Sequence, residues 1–344
     1  MSAEKFKPLI VPIFIPNQGC PHRCVFCEQE RITSQFNQPV NGRHIEKILD
    51  QAIHSKDFNR GRMPEIAFYG GTFTGLSLDR IRELLEAAVP YLKRGFFQSI
   101  RVSTRPDSID SECLQLMKDH GVDTVELGVQ SMNNNVLTLS KRGHTAEDTV
   151  RAVQILKEFG FRVGAQLMPG LPGDTKETFQ STIRQVIDLR PHMSRLYPAL
   201  VIRGTTLARW YRDKRYQPMA LEEAVQICME SCILLEAENI PVIRIGLMSS
   251  PSLLEDGQIV AGPWHPAFGF LVRSGVYRKN LESILPRPGD VSQIKISVQR
   301  KAIPLLRGFK NQGLKWIENK TQARVIKVDS DDSIPFGMAR FEAI

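Results

Sequence analysis

No apolar run in the chain approaches the roughly 18 consecutive residues that a membrane-spanning helix needs. Residues 1 to 10 lack the apolar segment of a secretory signal, so the expected location is the cytoplasm. Cysteine is sparse, with six in 344 residues, and three of these fall between positions 20 and 27. That distribution excludes a disulfide framework and points to a reducing compartment. Internal repeats and low-complexity tracts are also missing, which excludes a solenoid and a disordered chain. What remains is ordinary globular composition, 42% hydrophobic and 24% charged, with a net charge of +8. The excess of cations favours an anionic partner such as RNA, through counterion release.

The three clustered cysteines, Cys20, Cys24 and Cys27, have C-x3-C-x2-C spacing and follow a strand-like apolar run at residues 8–15. A closed structural zinc site needs four protein ligands, whereas three thiolates can hold three corners of a four-iron cluster and leave one iron open to a small molecule. Two zinc ligands with partners elsewhere, or unrelated thiols, are the alternatives the spacing leaves.

Downstream, strand and helix alternate. Ile45, Ile48, Leu49, Ala52 and Ile53 share one helical face, and so do Ile81, Leu84, Leu85 and Ala88. Strands are expected at 65–69, 99–103, 124–129, 161–167 and 195–200. Thr145 is the expected N-cap of a helix ending before Gly160, and Asp174 that of the next helix, with Glu177 in the capping-box position. Six strand–helix units predict an α/β fold, a partial (βα)6 TIM-like barrel that works at the C-terminal ends of its strands. The expected division is a core barrel at 1–205, an extension at 206–288 and a small α+β appendage at 289–344. Cys113, Cys228 and Cys232 sit on apolar helical stripes and are expected in the core.

The cysteine loop resembles that of the radical S-adenosylmethionine superfamily. The strings ELGVQSM, KRGHT, MPGLPGDT, LYPALVIRGTTL and PVIRIGL resemble the radical domain of the Elongator catalytic subunit, and in part oxygen-independent coproporphyrinogen III oxidase. The resemblance implies one [4Fe-4S] cluster on Cys20, Cys24 and Cys27 and reductive cleavage of S-adenosylmethionine to a 5′-deoxyadenosyl radical. It places Phe26 beside the adenine and Gly70, Gly71 and Thr72 at the amino group. Gln130 would face the methionine or ribose, Gln166 the ribose hydroxyls and Arg142 the methionine carboxylate, while Ser103 ends the third strand where some relatives carry a carboxylate. An electron donor such as ferredoxin or flavodoxin is implied as well.

Transfer RNA is the expected substrate; the alternatives are a small molecule, as in the porphyrinogen oxidase branch, or a non-catalytic RNA- or cofactor-binding protein. Tyr197, Arg203 and His265 are the substrate-side candidates. Residues 209–216 interleave cations with aromatics, either to grip RNA or to anchor a helix. About 55 residues follow Pro288, too few for an acetyltransferase domain, so an acetyl-dependent reaction is not expected.

Overall fold

The computed structural model describes residues 8–21, 23–34, 40–248 and 250–344. It divides into two compact units, Met1–Ala220 with Leu235–Trp264, and Leu221–Leu234 with His265–Ile344.

The first unit is built on parallel strands β1 (Ile10–Phe14), β2 (Glu65–Tyr69), β3 (Ser99–Thr104), β4 (Val122–Gln130), β5 (Arg162–Leu167) and β6 (Met193–Leu196). They pair in chain order as an open half-barrel. Helices Gly42–Ile53, Leu78–Lys93, Ser111–Asp119, Ala146–Glu158 and Lys176–Leu189 make the crossovers and bury the stripes read from the sequence. The strand order follows from this alternation, because a parallel neighbour requires a crossover. Thr145 caps its helix in a reciprocal box with Asp148, and Gly160 takes the left-handed conformation after the helix ends.

Two expectations are corrected. The cap of helix Lys176–Leu189 is Thr175, boxed with Thr178, because the Asp174 carboxylate turns back to accept from Gly170 N and the Thr178 hydroxyl. The sheet also has seven strands rather than six. After the short strand β7 (Val201–Ile202), strand β8 (Val242–Ile245) returns parallel to β6, so part of the expected extension at 206–288 belongs to the barrel sheet. β7 itself pairs antiparallel with β9 (Ile259–Ala261).

The two faces of the sheet differ. Ile66 and Phe68, Ile100 and Val102, Val125 and Leu127, and Val163 and Ala165 share one face and are fully or almost fully buried. The intervening positions carry Glu65, Tyr69, Arg101, Glu126 and Gln166. A polar side chain facing inward from a buried sheet requires a partner.

The second unit has a three-stranded sheet ordered β11 (Arg324–Ser330), β10 (Gln293–Val298), β12 (Arg340–Ala343). β10 runs parallel to β11 and antiparallel to β12. Ile294, Ile296 and Val298 alternate into a core with Leu306 and Ile317, from helices Ile303–Arg307 and Gln312–Thr321. The same core takes in Tyr277 and Leu281 from helix Phe268–Leu281, so the expected boundary near residue 288 cuts through a packed cluster. That helix, in a stretch the sequence marks as rich in Gly, Pro and aromatics, admits the Met229 side chain against Gly275, where a Cβ would lie 2.8 Å from the sulfur. Cys228 and Cys232 are fully buried in this unit, as expected of apolar-stripe cysteines.

Candidate cluster loop and cofactor site

The cysteine loop follows β1 and is held by backbone bonds on several sides. Cys20 N donates to Asn17 O, Cys27 N to Cys24 O, Val25 N to Ser140 O and Leu207 N to Val25 O. The three thiols share one electrostatic environment. Burial, then Cys24, then Cys20 push the Cys27 thiol up to about 12. Cys24 Sγ accepts from Arg142 Nη1 at 3.1 Å. Cys20 Sγ and Thr72 Oγ1 hydrogen-bond each other at 3.3 Å.

Among the described residues, no three His, Cys, Asp or Glu side chains enclose a single metal ion. A cubane presents its irons at separate corners, so its thiolates are spread more widely than the ligands of one ion. Three soft sulfur donors on one loop, with the other cysteines buried elsewhere, fit a four-iron cluster that leaves one iron open.

Glycines fasten this loop to the turn after β2. Gly71 has φ +67°, and a Cβ there would lie 2.2 Å from Gln18 O. A Cβ on Gly19, φ +71°, would lie 2.2 Å from Thr72 O, and Thr72 N donates to Gln18 O at 2.8 Å. The two turns therefore interlock backbone to backbone, and no larger residue fits. Gln29 completes the joint. Its Oε1 accepts from Asn17 N at 2.5 Å and from Gly71 N at 2.7 Å. Sequence reading missed Gln29, since one amide in a short helix carries no pattern.

The strand-end residues fall into two groups. Gln130, buried with φ +67° at the end of β4, accepts from Gln166 Nε2 at 3.4 Å, so the two expected ribose-side amides meet. Arg142 also donates to Gly128 O at 2.6 Å, which ties it to β4 as well as to Cys24. His144 is buried and donates from Nε2 to Val129 O, while its Nδ1 has no partner among the described residues. Burial, then Arg142, hold the imidazole neutral with its pKa lowered to about 3. Phe26 packs between two apolar clusters, one containing Val25, Val201 and Leu207, the other Val136, Leu171 and Ala199.

A charged network fills the polar face beside these groups. Glu126 Oε1 accepts from Arg101 Nη1 at 2.6 Å, Arg195 Nη2 at 2.7 Å and Tyr69 OH at 3.2 Å. Arg101 also pairs with Glu65, and Arg195 Nη1 donates to Tyr197 OH at 3.3 Å. Burial first, then Glu126, raise the Tyr69 phenol, which stays protonated. Burial opposes the Arg195 charge, yet Glu126, Tyr197 and Tyr69 raise its pKa overall. Glu126 thus holds two arginines. The network had a legible signal: four charges at inward positions of strands that a buried parallel sheet makes apolar.

Of the substrate-side candidates, Tyr197 joins this network. Arg203 is exposed, and its Nη2 lies against Gly257. His265 belongs to the second unit, where its ring packs edge-on against Phe309 at 5.0 Å. Ser103 is half-buried on β3 and pairs in register with Glu126. Trp210 and Tyr216 pack on the Val25 cluster, and Tyr216 OH donates to Gly170 O at 2.5 Å, so these aromatics anchor their helix while Tyr211 stays exposed.

Residues 14–186 match the Radical SAM superfamily and residues 191–278 the Radical SAM C-terminal domain. The chain belongs to that superfamily of enzymes. It is 40% identical over 255 residues to the tRNA uridine(34) acetyltransferase of Methanocaldococcus jannaschii, covering 63% of this chain and 47% of that protein. It is 30% identical over 219 residues to Elongator complex protein 3 of Mus musculus, covering 57% and 39%. The chain therefore spans about half the length, or less, of these curated relatives. The archaeal Methanocaldococcus infernus Elp3 with an N-terminal deletion shares the fold at a TM-score of 0.60 and 24% identity, covering 80% of this chain and 64% of that one. Among the described residues no helix is long and apolar enough to cross a membrane.

Proposed function

We propose that this chain is a transfer RNA-modifying radical enzyme whose Cys20, Cys24 and Cys27 hold one [4Fe-4S] cluster with S-adenosylmethionine at its open iron. The observation that carries the reading is the loop itself: three thiols on one short segment, one of them on an arginine, locked to the turn after β2 by contacts that exclude a Cβ at Gly19 and Gly71. When bound, the cluster and S-adenosylmethionine supply one-electron cleavage of the sulfonium and a hydrogen-abstracting radical.

The protein's part is to bind, orient and exclude water. The Arg142 guanidinium offsets thiolate charge at Cys24 and fixes the loop to β4. Gly70 and Gly71 let backbone approach an amino group with no side chain between. Gln130 and Gln166 present paired amides suited to ribose hydroxyls, and Phe26 offers an apolar wall for adenine. The network around Glu126 keeps Tyr69 protonated and fixes Tyr197 on the face where a substrate base would enter. Transfer RNA as substrate rests on the relatives' names and the net charge of +8. An electron donor of the ferredoxin or flavodoxin type, and a cytoplasmic setting, complete the reading.

The test is anaerobic reconstitution with iron and sulfide, followed by assay for 5′-deoxyadenosine, and mass spectrometry of transfer RNA nucleosides from a deletion strain. Cleavage together with a missing modified nucleoside supports the reading. Iron uptake without cleavage overturns the enzymatic part, and an unchanged nucleoside profile overturns the substrate.

A further inference from the structure

The second unit gathers several cations around one tight loop. Helix Ile303–Arg307 ends at Gly308, and helix Gln312–Thr321 begins after Asn311. Gly308 has φ +67°, Lys310 φ +49° and Asn311 φ +61°, so three of the four connecting residues 308–311 have positive φ and the chain turns tightly. The two helices meet closely behind it, since a Cβ on Gly313 would lie 2.0 Å from Leu306 O. β10 leads into this helix pair and β11 leaves it, giving the order strand, helix, glycine-led loop, helix, strand.

Three cations touch this loop. Arg307 Nη1 donates to Asn311 Oδ1 at 3.4 Å, and Lys310 Nζ lies 5.4 Å from the centre of the Phe309 ring. Arg278 Nη1 lies 3.3 Å from where a Cβ on Gly308 would sit. None of the three pairs with a carboxylate among the described residues, whereas Lys279, Lys295, Lys320, Lys327 and Arg340 in the same unit do. Arg278 is half-buried, its Nη1 donates to Ser274 Oγ at 3.5 Å, and burial lowers the pKa of its guanidinium. Holding a desolvated cation without a counter-charge is costly unless an anion arrives. Half-buried Phe309, with the His265 ring edge-on against it, supplies an aromatic surface beside the charges.

We propose that loop 308–311, with Arg278, Arg307 and Lys310, clamps the sugar–phosphate backbone of a single-stranded nucleic acid. KH modules grip about four nucleotides in this way, with a glycine-led loop against the backbone and bases on an adjoining apolar surface. A side chain at residue 308 would fill the approach to the Arg278 guanidinium, so the glycine serves the ligand as well as the turn. The inference rests on the second unit's own residues and needs neither cluster nor S-adenosylmethionine.

Fluorescence anisotropy on the full-length protein tests it, with a labelled single strand of about ten nucleotides in RNA and DNA forms and a duplex as reference. The variant Arg307→Glu/Lys310→Glu is expected to bind the single strand about tenfold or more weakly and to lower the salt slope by about 1.4, with duplex binding unchanged. Arg307→Lys/Lys310→Arg keeps both charges and is expected to retain affinity. Preference for RNA would add a contact to the 2′-hydroxyl, and equal binding of RNA and DNA would mark a backbone clamp; either supports the site. If the charge-reversed variant fails to fold, Lys310→Ala at the exposed loop tip replaces it, with an expected loss of severalfold. Equal affinity and salt slope in variant and parent, or no single-strand binding at low salt, overturns the proposal.

Discussion

At the scale of single residues, the site is governed by buried charge and its partners. Glu126 is 4% exposed and accepts from two arginines and a tyrosine. Glu126→Gln keeps the shape and removes the charge, leaving Arg101 on Glu65 alone and Arg195 without an acid. The expected loss is about 3 kcal/mol in urea unfolding. A loss below about 0.5 kcal/mol would show the network to be energetically idle.

His144 gives a pH signature. Its folded pKa is lowered to about 3 from 6.5, so the unfolded chain binds its proton first as pH falls. Stability from this group is therefore intact above about 6.5 and falls by roughly 1.4 kcal/mol per pH unit between about 6.5 and about 3. In His144→Asn that part of the slope should vanish from urea melts taken at pH 6, 5 and 4. An unaltered slope contradicts the assignment. That His144 occupies a buried position was not legible, because KRGHT reads as a loop and burial there comes from strands far away in sequence.

At the scale of elements, the joint between the cysteine loop and the turn after β2 is where sequence and structure agree most closely. The cysteine spacing and the Gly70-Gly71 pair both stood out by type, and the structure brings them together backbone to backbone. Gly71→Ala combines a left-handed φ with a 2.2 Å overlap on Gln18 O. The conformational part alone costs about 1–2 kcal/mol. The variant should lose iron on reconstitution and melt several degrees lower, and full iron incorporation at the parent's melting temperature would contradict the interlock. Helix caps were legible to within one residue: Thr145 and Gly160 were read correctly, while Asp174 was displaced by Thr175 because its carboxylate had a competing partner in Gly170 N. Helix Phe268–Leu281 was not legible, since its polar and apolar residues follow no helical period and its order comes from burial in its own unit.

At the scale of the whole molecule, alternation of strand and helix fixed the half-barrel, and the superfamily followed from a few strings at strand ends. The seventh strand escaped the count because β7 and two helices, Thr206–Arg212 and Leu221–Ala237, separate it in sequence from β6. Boundaries were less legible still, as the second unit borrows residues 221–234 from the middle of the chain. The net charge of +8 enters here. Transfer RNA should bind the whole protein with an affinity that falls steeply between 50 and 200 mM salt, as on the order of several phosphate contacts demand. A flat salt dependence would count against an RNA substrate.

The central claim is that Cys20, Cys24 and Cys27 together hold a cluster able to open S-adenosylmethionine. The most direct measurement is 5′-deoxyadenosine formed by the anaerobically reconstituted, reduced protein, set against Cys24→Ala treated in the same way. The account predicts product from the parent and none from the variant. Equal product from both, or none from a parent that carries its full iron, would contradict it.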